Sequence, residues 1–493
     1  MIPLDPVPRP LDHLALRGEP GAVALADRIG TITFAQLDEA VGALAAWLAA
    51  RLSPGDRVAS WLPKTRVACV LPLAAARAGL VHVPVNPALR RAQVAHILAD
   101  SGAALLVTQS ARAATLEQND AACPIVTDEP PLAGPGIGAS DRDPQELAAI
   151  LYTSGSTGLP KGVMLSHANL WLGAISVAHY LALGPHDRVL AVLPLSFDYG
   201  QNQLLSTWAA GARVVPLDYL TPRDVVKAVA RSGATTLAGV PPLWVQLLDA
   251  DWPADTSLRR LTNSGGALTR RVVADLRARF PHADLYPMYG LTEAFRSTYL
   301  APSLVDAHPD AIGTAIPFAQ VAAVRADGTR AAPGEPGELV HAGPLVAQGY
   351  WRDAARTAAR FRPAPAWLGE GLAVWSGDTV VEGADGLFRF VGRDDEMIKS
   401  AGNRISPQEI EAAILAGPEA REAVAVGVAD QRLGQAIHVV VAGDPAGEDA
   451  LRARLRRDLP SFMQPARYDW RESLPRNANG KLDRALIRRE GTS

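Results

Sequence analysis

Cysteine is nearly absent: Cys69 and Cys123 are the only two in 493 residues. That is too few for a disulfide framework or a zinc site, so each is expected to pack as a small hydrophobe in a reducing, cytoplasmic setting. Excess positive charge is missing too. The 48 basic and 51 acidic residues leave a net charge of −3 with no long basic block, so a nucleic-acid partner has no electrostatic footprint. Long apolar runs are absent. The most apolar stretch, residues 67–85, is broken by Pro72, Arg77, His82 and Pro84, short of the roughly 18 uninterrupted residues of a membrane span. The first ten residues lack the basic start and apolar core of a signal peptide and read as an extended arm. No internal repeat, no low-complexity tail and no Gly-x-x-x-x-Gly-Lys-[Ser/Thr] phosphate loop occurs.

What is present is ordinary globular composition, with 48% hydrophobic and 20% charged residues and ample length for burial. Residues 22–26 read as a strand, 28–30 as a turn, 31–34 as a strand and 35–51 as a helix with Leu37, Val41, Leu44 and Leu48 on one face. Strands are expected at 56–62, 82–85 and 103–108, helices at 66–79 and 91–101, and a loose connection over 111–146. Alternation resumes from 169 to about 300, which predicts α/β architecture with parallel-rich sheets covered by helices, and 334–350 looks β-rich. The character then changes to a small α+β unit: a helix over 407–416, strands over 423–428 and 437–441, and a basic helix over 449–459. The expected division is a large N-terminal domain over 1–392 and a small C-terminal domain over 393–493.

The densest chemical signal is Leu151-Tyr152-Thr153-Ser154-Gly155-Ser156-Thr157-Gly158-Leu159-Pro160-Lys161-Gly162. A strand-like run leads into glycines that let successive N–H groups turn toward an anion, hydroxyls at 153, 154, 156 and 157 add donors, and Lys161 adds a positive charge. This segment resembles the phosphate-binding motif of the adenylate-forming superfamily, which includes acyl-CoA ligases, luciferase and the adenylation domains of nonribosomal peptide synthetases. Met288-Tyr289-Gly290-Leu291-Thr292-Glu293 resembles a second motif of that family. The resemblance implies Tyr289 against adenine, Thr292 on the α-phosphate and Glu293 holding Mg2+, with Gly265 and Gly266 beside the adenine. It further implies Asp378 on the ribose, supported by Arg393, and Lys481 as the catalytic ammonium of adenylation. Asp395 matches the family hinge, about which a mobile small domain would exchange Lys481 for a thiol channel lined by Gly402 and its neighbour Lys399.

The carboxylate substrate is addressed by Pro194-Leu195-Ser196-Phe197-Asp198-Tyr199. Amino-acid-activating relatives carry Phe-Asp there, and a carboxylate in an apolar pocket needs a positive partner such as a substrate ammonium. The other reading is an Asp198 that bonds locally or caps a helix. The family pocket carried over position by position implies further lining by Tyr199, Asn202, Ser264, Met288, Arg296 and Ser297. Three placements are open for Arg296: binding a second acidic group of the substrate, pairing with Asp198, or facing outward. Permanent pairing would defeat amine recognition.

The resemblance thus implies a ligase that uses ATP and Mg2+ to activate a carboxylate. The acceptor is expected to be the phosphopantetheine of a separate carrier protein, since no carrier domain follows Lys481 in this sequence, with free CoA as the alternative. The finer match is to stand-alone ligases that load amino acids, including β-amino acids, onto carrier proteins. A regulatory protein that kept the nucleotide fold and lost catalysis is disfavoured by the retained Lys481, Glu293 and Thr292.

Overall fold

The computed structural model describes residues 2–153, 160–266, 268, 270–393, 398–400, 402–405, 407–475 and 484–491. They build an α/β architecture of three sheets. In the first, parallel strands Val81–Pro84, Arg57–Trp61 and Leu105–Thr108 lie beside the antiparallel hairpin Leu147–Thr153 and Lys161–Ser166. In the second, Asp284–Tyr289, Arg260–Asn263, Thr236–Gly239, Arg188–Ala191, Arg213–Pro216 and Val23–Ala26 run parallel. This sheet continues through the antiparallel strands Thr298–Tyr299 and Ala311–Ala315 into the β-rich region, where Pro336–Ala342 pairs with Leu372–Glu382.

Helices Arg66–Arg77 and His167–Tyr180 are buried around nearly their whole circumference. A helix apolar on every side belongs inside a protein, and both share one continuous core with residues of the first two sheets. Arg77 is accommodated there because Nε meets Asp12 Oδ2 at 3.0 Å and Nη2 meets Asp38 Oδ1 at 2.6 Å. Asp12 also accepts from the Ser140 N–H and hydroxyl.

Residues from Ile398 onward enclose separate cores, one around Ile398, Ile410, Val439, Leu451 and Leu455, on a five-stranded sheet. The paired strands there, Ala420–Asp430 and Gly434–Gly443, extend well beyond the segments expected, because mutual pairing recruits flanking residues with no apolar signal of their own. Phe34 begins the helix Phe34–Ala49 rather than ending a strand: Thr33 Oγ1 accepts from the Gln36 N–H while Gln36 Oε1 accepts from the Thr33 N–H, a reciprocal cap. The loose connection contains the short helix Ser110–Ala113 and the strand Ile125–Val126. Among the described residues no helix is long and apolar enough to cross a membrane.

Candidate active site

A cavity of about 370 Å3 opens where strand after strand of the two large sheets ends. Pro84, Thr153, Val192, Val240, Ser264 and Gly290 all line it, and each lies at or just beyond the carboxyl end of its strand, where open α/β sheets bind ligands. The small unit supplies the facing wall through Gly402, Asn403, Ile405, Glu409 and Met463.

One wall is polar. Thr153 and Lys161 stand opposite each other across the hairpin, so the ends of the glycine-rich segment are held together. Ser154, Gly155, Ser156, Thr157 and Gly158 lie outside the described residues. Lys161 Nζ donates to Glu293 Oε1 at 3.0 Å and to the Tyr350 hydroxyl at 2.8 Å, and that hydroxyl donates to Glu293 Oε1 at 2.7 Å. Arg360 sits near them: Glu293, Tyr350, Asp378 and Tyr289 together hold its guanidinium pKa above the ordinary value against the opposing effect of burial. Thr153 Oγ1 and Arg360 Nε are buried with no protein partner, donors suited to an oxygen-rich ligand such as a polyphosphate. Neither Tyr350 nor Arg360 carries a sequence signal. Tyr350 closes a two-residue strand, and Arg360 ends the short helix Ala354–Arg360, alanines and arginines but for Thr357.

Thr292, Glu293 and Ala294 form a single helical turn, after which Phe295 takes φ 60° and ψ −72°. That is a strained γ-turn geometry for a non-glycine residue, held by packing: the Phe295 ring lies so close to Gly173 that a Cβ there would fall 2.5 Å from it. The reversal lets both Thr292–Glu293 and Arg296 reach the same cavity.

Asp198 occupies the first turn of the helix Asp198–Ala209, whose N-cap position, Phe197, has no side-chain cap. The residue is 6% exposed and lines the cavity. Burial raises its pKa, opposed by Arg296, the Tyr199 N–H and Thr292. Thr292 Oγ1 donates to Oδ1 at 3.4 Å, and Arg296 Nη1 stands 3.7 Å from Oδ2. Arg296 therefore faces inward, not outward. Its firm bond is to Ser264 Oγ at 3.1 Å, and its guanidinium lies 4.7 Å from the centre of the Tyr199 ring, within cation–π range.

Other residues of the expected pocket sit elsewhere. Tyr199, Asn202 and Met288 line a small second cavity beneath the first, and Arg296 borders both. Ser297 lines neither, its hydroxyl meeting His341 Nδ1 at 2.9 Å. Tyr289 donates its hydroxyl to Asp378 Oδ2, and Asp378 pairs through its backbone with Arg393. Gly265 lines the main cavity and Gly266 lies behind it against Pro241. Gly402, at φ 75°, packs so closely on Val240 that a Cβ would fall 2.6 Å from its Cγ2, whereas Lys399 Nζ is turned onto the Phe390 ring, 4.4 Å away. Asp395 and Lys481 lie outside the described residues. Sequence inspection also misses the contact that joins the two walls, Gln93 Nε2 to Glu409 Oε1 at 2.9 Å, because its partners are 316 positions apart.

Among the described residues no group of three or more acidic, histidine or cysteine side chains forms a metal cluster. Glu293, bonded here to Lys161 and Tyr350, supplies one carboxylate, the donor type that Mg2+ takes together with phosphate oxygens and water.

Comparison with known proteins matches this arrangement. The family profile described as AMP-binding enzyme covers residues 13–351, and that of its C-terminal domain covers 409–481. L-proline--[L-prolyl-carrier protein] ligase from Pseudomonas fluorescens is 32% identical, with 96% of each chain covered. Feruloyl-CoA synthase from an Amycolatopsis species is 33% identical, again with 96% of each covered. Against larger relatives the chain spans only a fraction, 6% of a Salinispora arenicola nonribosomal peptide synthetase and 9% of a linear gramicidin synthase polypeptide from Brevibacillus parabrevis. Two structures of o-succinylbenzoate CoA synthetase from Bacillus subtilis cover 98% of both chains. The one bound to a product analogue, OSB-NCoA, superposes with a TM-score of 0.86 at 26% identity, and the one holding the acyl-adenylate OSB-AMP with 0.71 at 25%. The chain belongs to the AMP-binding enzyme family and is an adenylate-forming ligase.

Proposed function

We propose that the enzyme activates the carboxylate of an amino acid and passes the acyl group to the phosphopantetheine thiol of a separate carrier protein. The observation that carries the substrate reading is Asp198, a shielded carboxylate in the cavity wall whose ion pair with Arg296, at 3.7 Å, is too long for a hydrogen bond and is open to replacement by a substrate ammonium. Each of its oxygens keeps acceptor capacity for an ammonium. ATP would be held by the hydroxyls of residues 153, 154, 156 and 157, by Lys161 and by Arg360, with Tyr289 at the adenine and Asp378 at the ribose. Mg2+ bound through Glu293 would supply neutralisation of phosphate charge. In the first step a carboxylate oxygen attacks the α-phosphorus, the bond to the bridging oxygen breaks, and pyrophosphate leaves. Thr292 and Lys481 stabilise the charge that develops. In the second, the thiol sulfur attacks the carbonyl carbon, gives up its proton, and AMP departs.

The chain superposes better on the CoA-analogue complex of the Bacillus enzyme, with a TM-score of 0.86, than on its adenylate complex, with 0.71. This supports a reading of its arrangement as the thiol-transfer state, with the channel at Gly402. Comparable identity to a feruloyl-CoA synthase and to a carrier-protein ligase keeps free CoA as the second reading for the acceptor. Substrate-dependent ATP/pyrophosphate exchange over α-amino, β-amino, fatty and aromatic acids tests the proposal. Exchange with an amino acid should be lost in Asp198→Ala, survive for the matched acid without the amine, and disappear altogether in Lys481→Ala. Exchange confined to amine-free acids would reject the amino-acid reading.

A further inference from the structure

The helix Arg91–Ser101 flanks the active site and contributes Ile97 to the wall of the main cavity. Three of its residues, Gln93, His96 and Asp100, follow one another at intervals of three and four, which places them on one helix face. Each is bonded to a different part of the site. Gln93 holds Glu409 of the small unit. His96 Nε2 meets the Pro160 carbonyl at 3.0 Å, and the ring nitrogen is the donor because a carbonyl only accepts. Asp100 accepts the Tyr152 hydroxyl on its carboxylate, and its backbone carbonyl accepts the indole N–H of Trp351 at 3.0 Å.

The anchors from His96 and Asp100 converge on Lys161. Proline has no N–H, so its carbonyl is the one backbone polar group by which the residue before Lys161 can be held, and His96 holds it. On the other side of Lys161, Gly162 pairs with Tyr152 across the hairpin. A Cβ on Gly162 would fall 3.2 Å from the Tyr152 ring and 3.3 Å from Trp351 Cβ, and the Trp351 N–H donates to the Gly162 carbonyl at 2.8 Å. Asp100 thus grips both neighbours of Gly162. Neither His96 nor Asp100 lines the cavity. A lysine side chain is long and flexible, so its ammonium is placed only as well as its backbone is. Resting on the reading of Lys161 as a ligand of the ATP phosphates, we infer that His96 and Asp100 are positioning residues for ATP, fixing Lys161 where the phosphates beyond the first are held. AMP, with its one phosphate at Thr292 and its nucleoside at Tyr289 and Asp378, does not depend on that anchor.

The test is calorimetric binding of MgATP and of AMP to the full chain, with no acid substrate present. His96→Leu keeps the bulk of the ring and removes the donor. It should weaken ATP by roughly 3- to 10-fold, the range of one net hydrogen bond, and leave AMP unchanged. His96→Gln, whose amide returns a donor, should restore ATP binding, a rescue that packing alone would not produce. Tyr152→Phe keeps the ring against Gly162 and removes only the hydroxyl that reaches Asp100. It should show the same ATP-selective loss, and it decides the question if His96→Leu does not fold. Lys161→Met is the reference and should weaken ATP while sparing AMP. Given that reference, equal loss of ATP and AMP in the folded variants, or no loss of either, overturns the inference and leaves Lys161 as a phosphate ligand. Lys161→Met that binds ATP as the unaltered enzyme does overturns the phosphate reading, and the inference with it.

Discussion

Lys161 Nζ stands 3.0 Å from Glu293 Oε1, so the lysine at the end of the glycine-rich segment and the acid of a motif 132 positions away form one ion pair. Tyr350 bonds to both partners, at 2.8 Å and 2.7 Å. Tyr350→Phe removes two hydrogen bonds to charged groups, each of about 1.5–3 kcal/mol. Pyrophosphate exchange is expected to fall by roughly 10- to 100-fold with the Michaelis constant for ATP raised. Steady-state exchange against ATP concentration checks this, and an unchanged enzyme would show that Tyr350 does not order the pair.

Gly402 carries a positive φ and has no room for a Cβ against Val240. Gly402→Leu should block docking of the small unit in this arrangement. Thioester formation should drop by about 10²-fold or more while pyrophosphate exchange changes little, since a misplaced element can cost that much. Single-turnover measurement of the two half-reactions separates them.

Glu409 meets Gln93 across the cavity, and burial pushes its carboxyl up to about 7, with the Gln93 bond opposing. The sign follows from proton linkage. The docked arrangement holds the neutral acid, whereas an undocked Glu409 titrates near its ordinary value. Docking is fully favoured below the ordinary carboxyl pKa, weakens as pH rises toward 7, and levels off above it. Glu409→Gln should flatten this dependence between pH 5 and 7.5, a window spanning about the carboxyl range and 7, as read by fluorescence transfer between labels on the two units.

Asp12, Arg77 and Asp38 form an ion-pair network in which Asp12 and Arg77 are buried. Asp12→Ala strands the guanidinium in the core and should destabilise the large unit by about 3–5 kcal/mol. Urea unfolding checks this, and a loss under about 1 kcal/mol would mean that Asp38 alone compensates.

Local chemistry is readable where a short segment decides its own form. The helix Arg91–Ser101 has the bounds expected from the sequence, and Asp198, Gly402 and the Thr292–Glu293 pair, all singled out by motif, line the main cavity. Phe34 departs from expectation because aromatic strand propensity ignores the reciprocal cap at Thr33. Motif position puts Ser297, Met288 and Lys399 in the site, yet their side chains turn to His341, to the lower cavity and to Phe390 instead.

Family membership, the alternating α/β order and the chemical types of the nucleotide motifs are all written in contiguous residues, because there the spacing is covalent. Tertiary contact alone brings Tyr350 and Arg360 to Glu293, joins Gln93 to Glu409, and turns Arg296 inward to pair with Asp198 at 3.7 Å. Those contacts span dozens to hundreds of positions. They depend on where sheets end and on how one strained residue, Phe295, reverses the chain, and no local pattern encodes either.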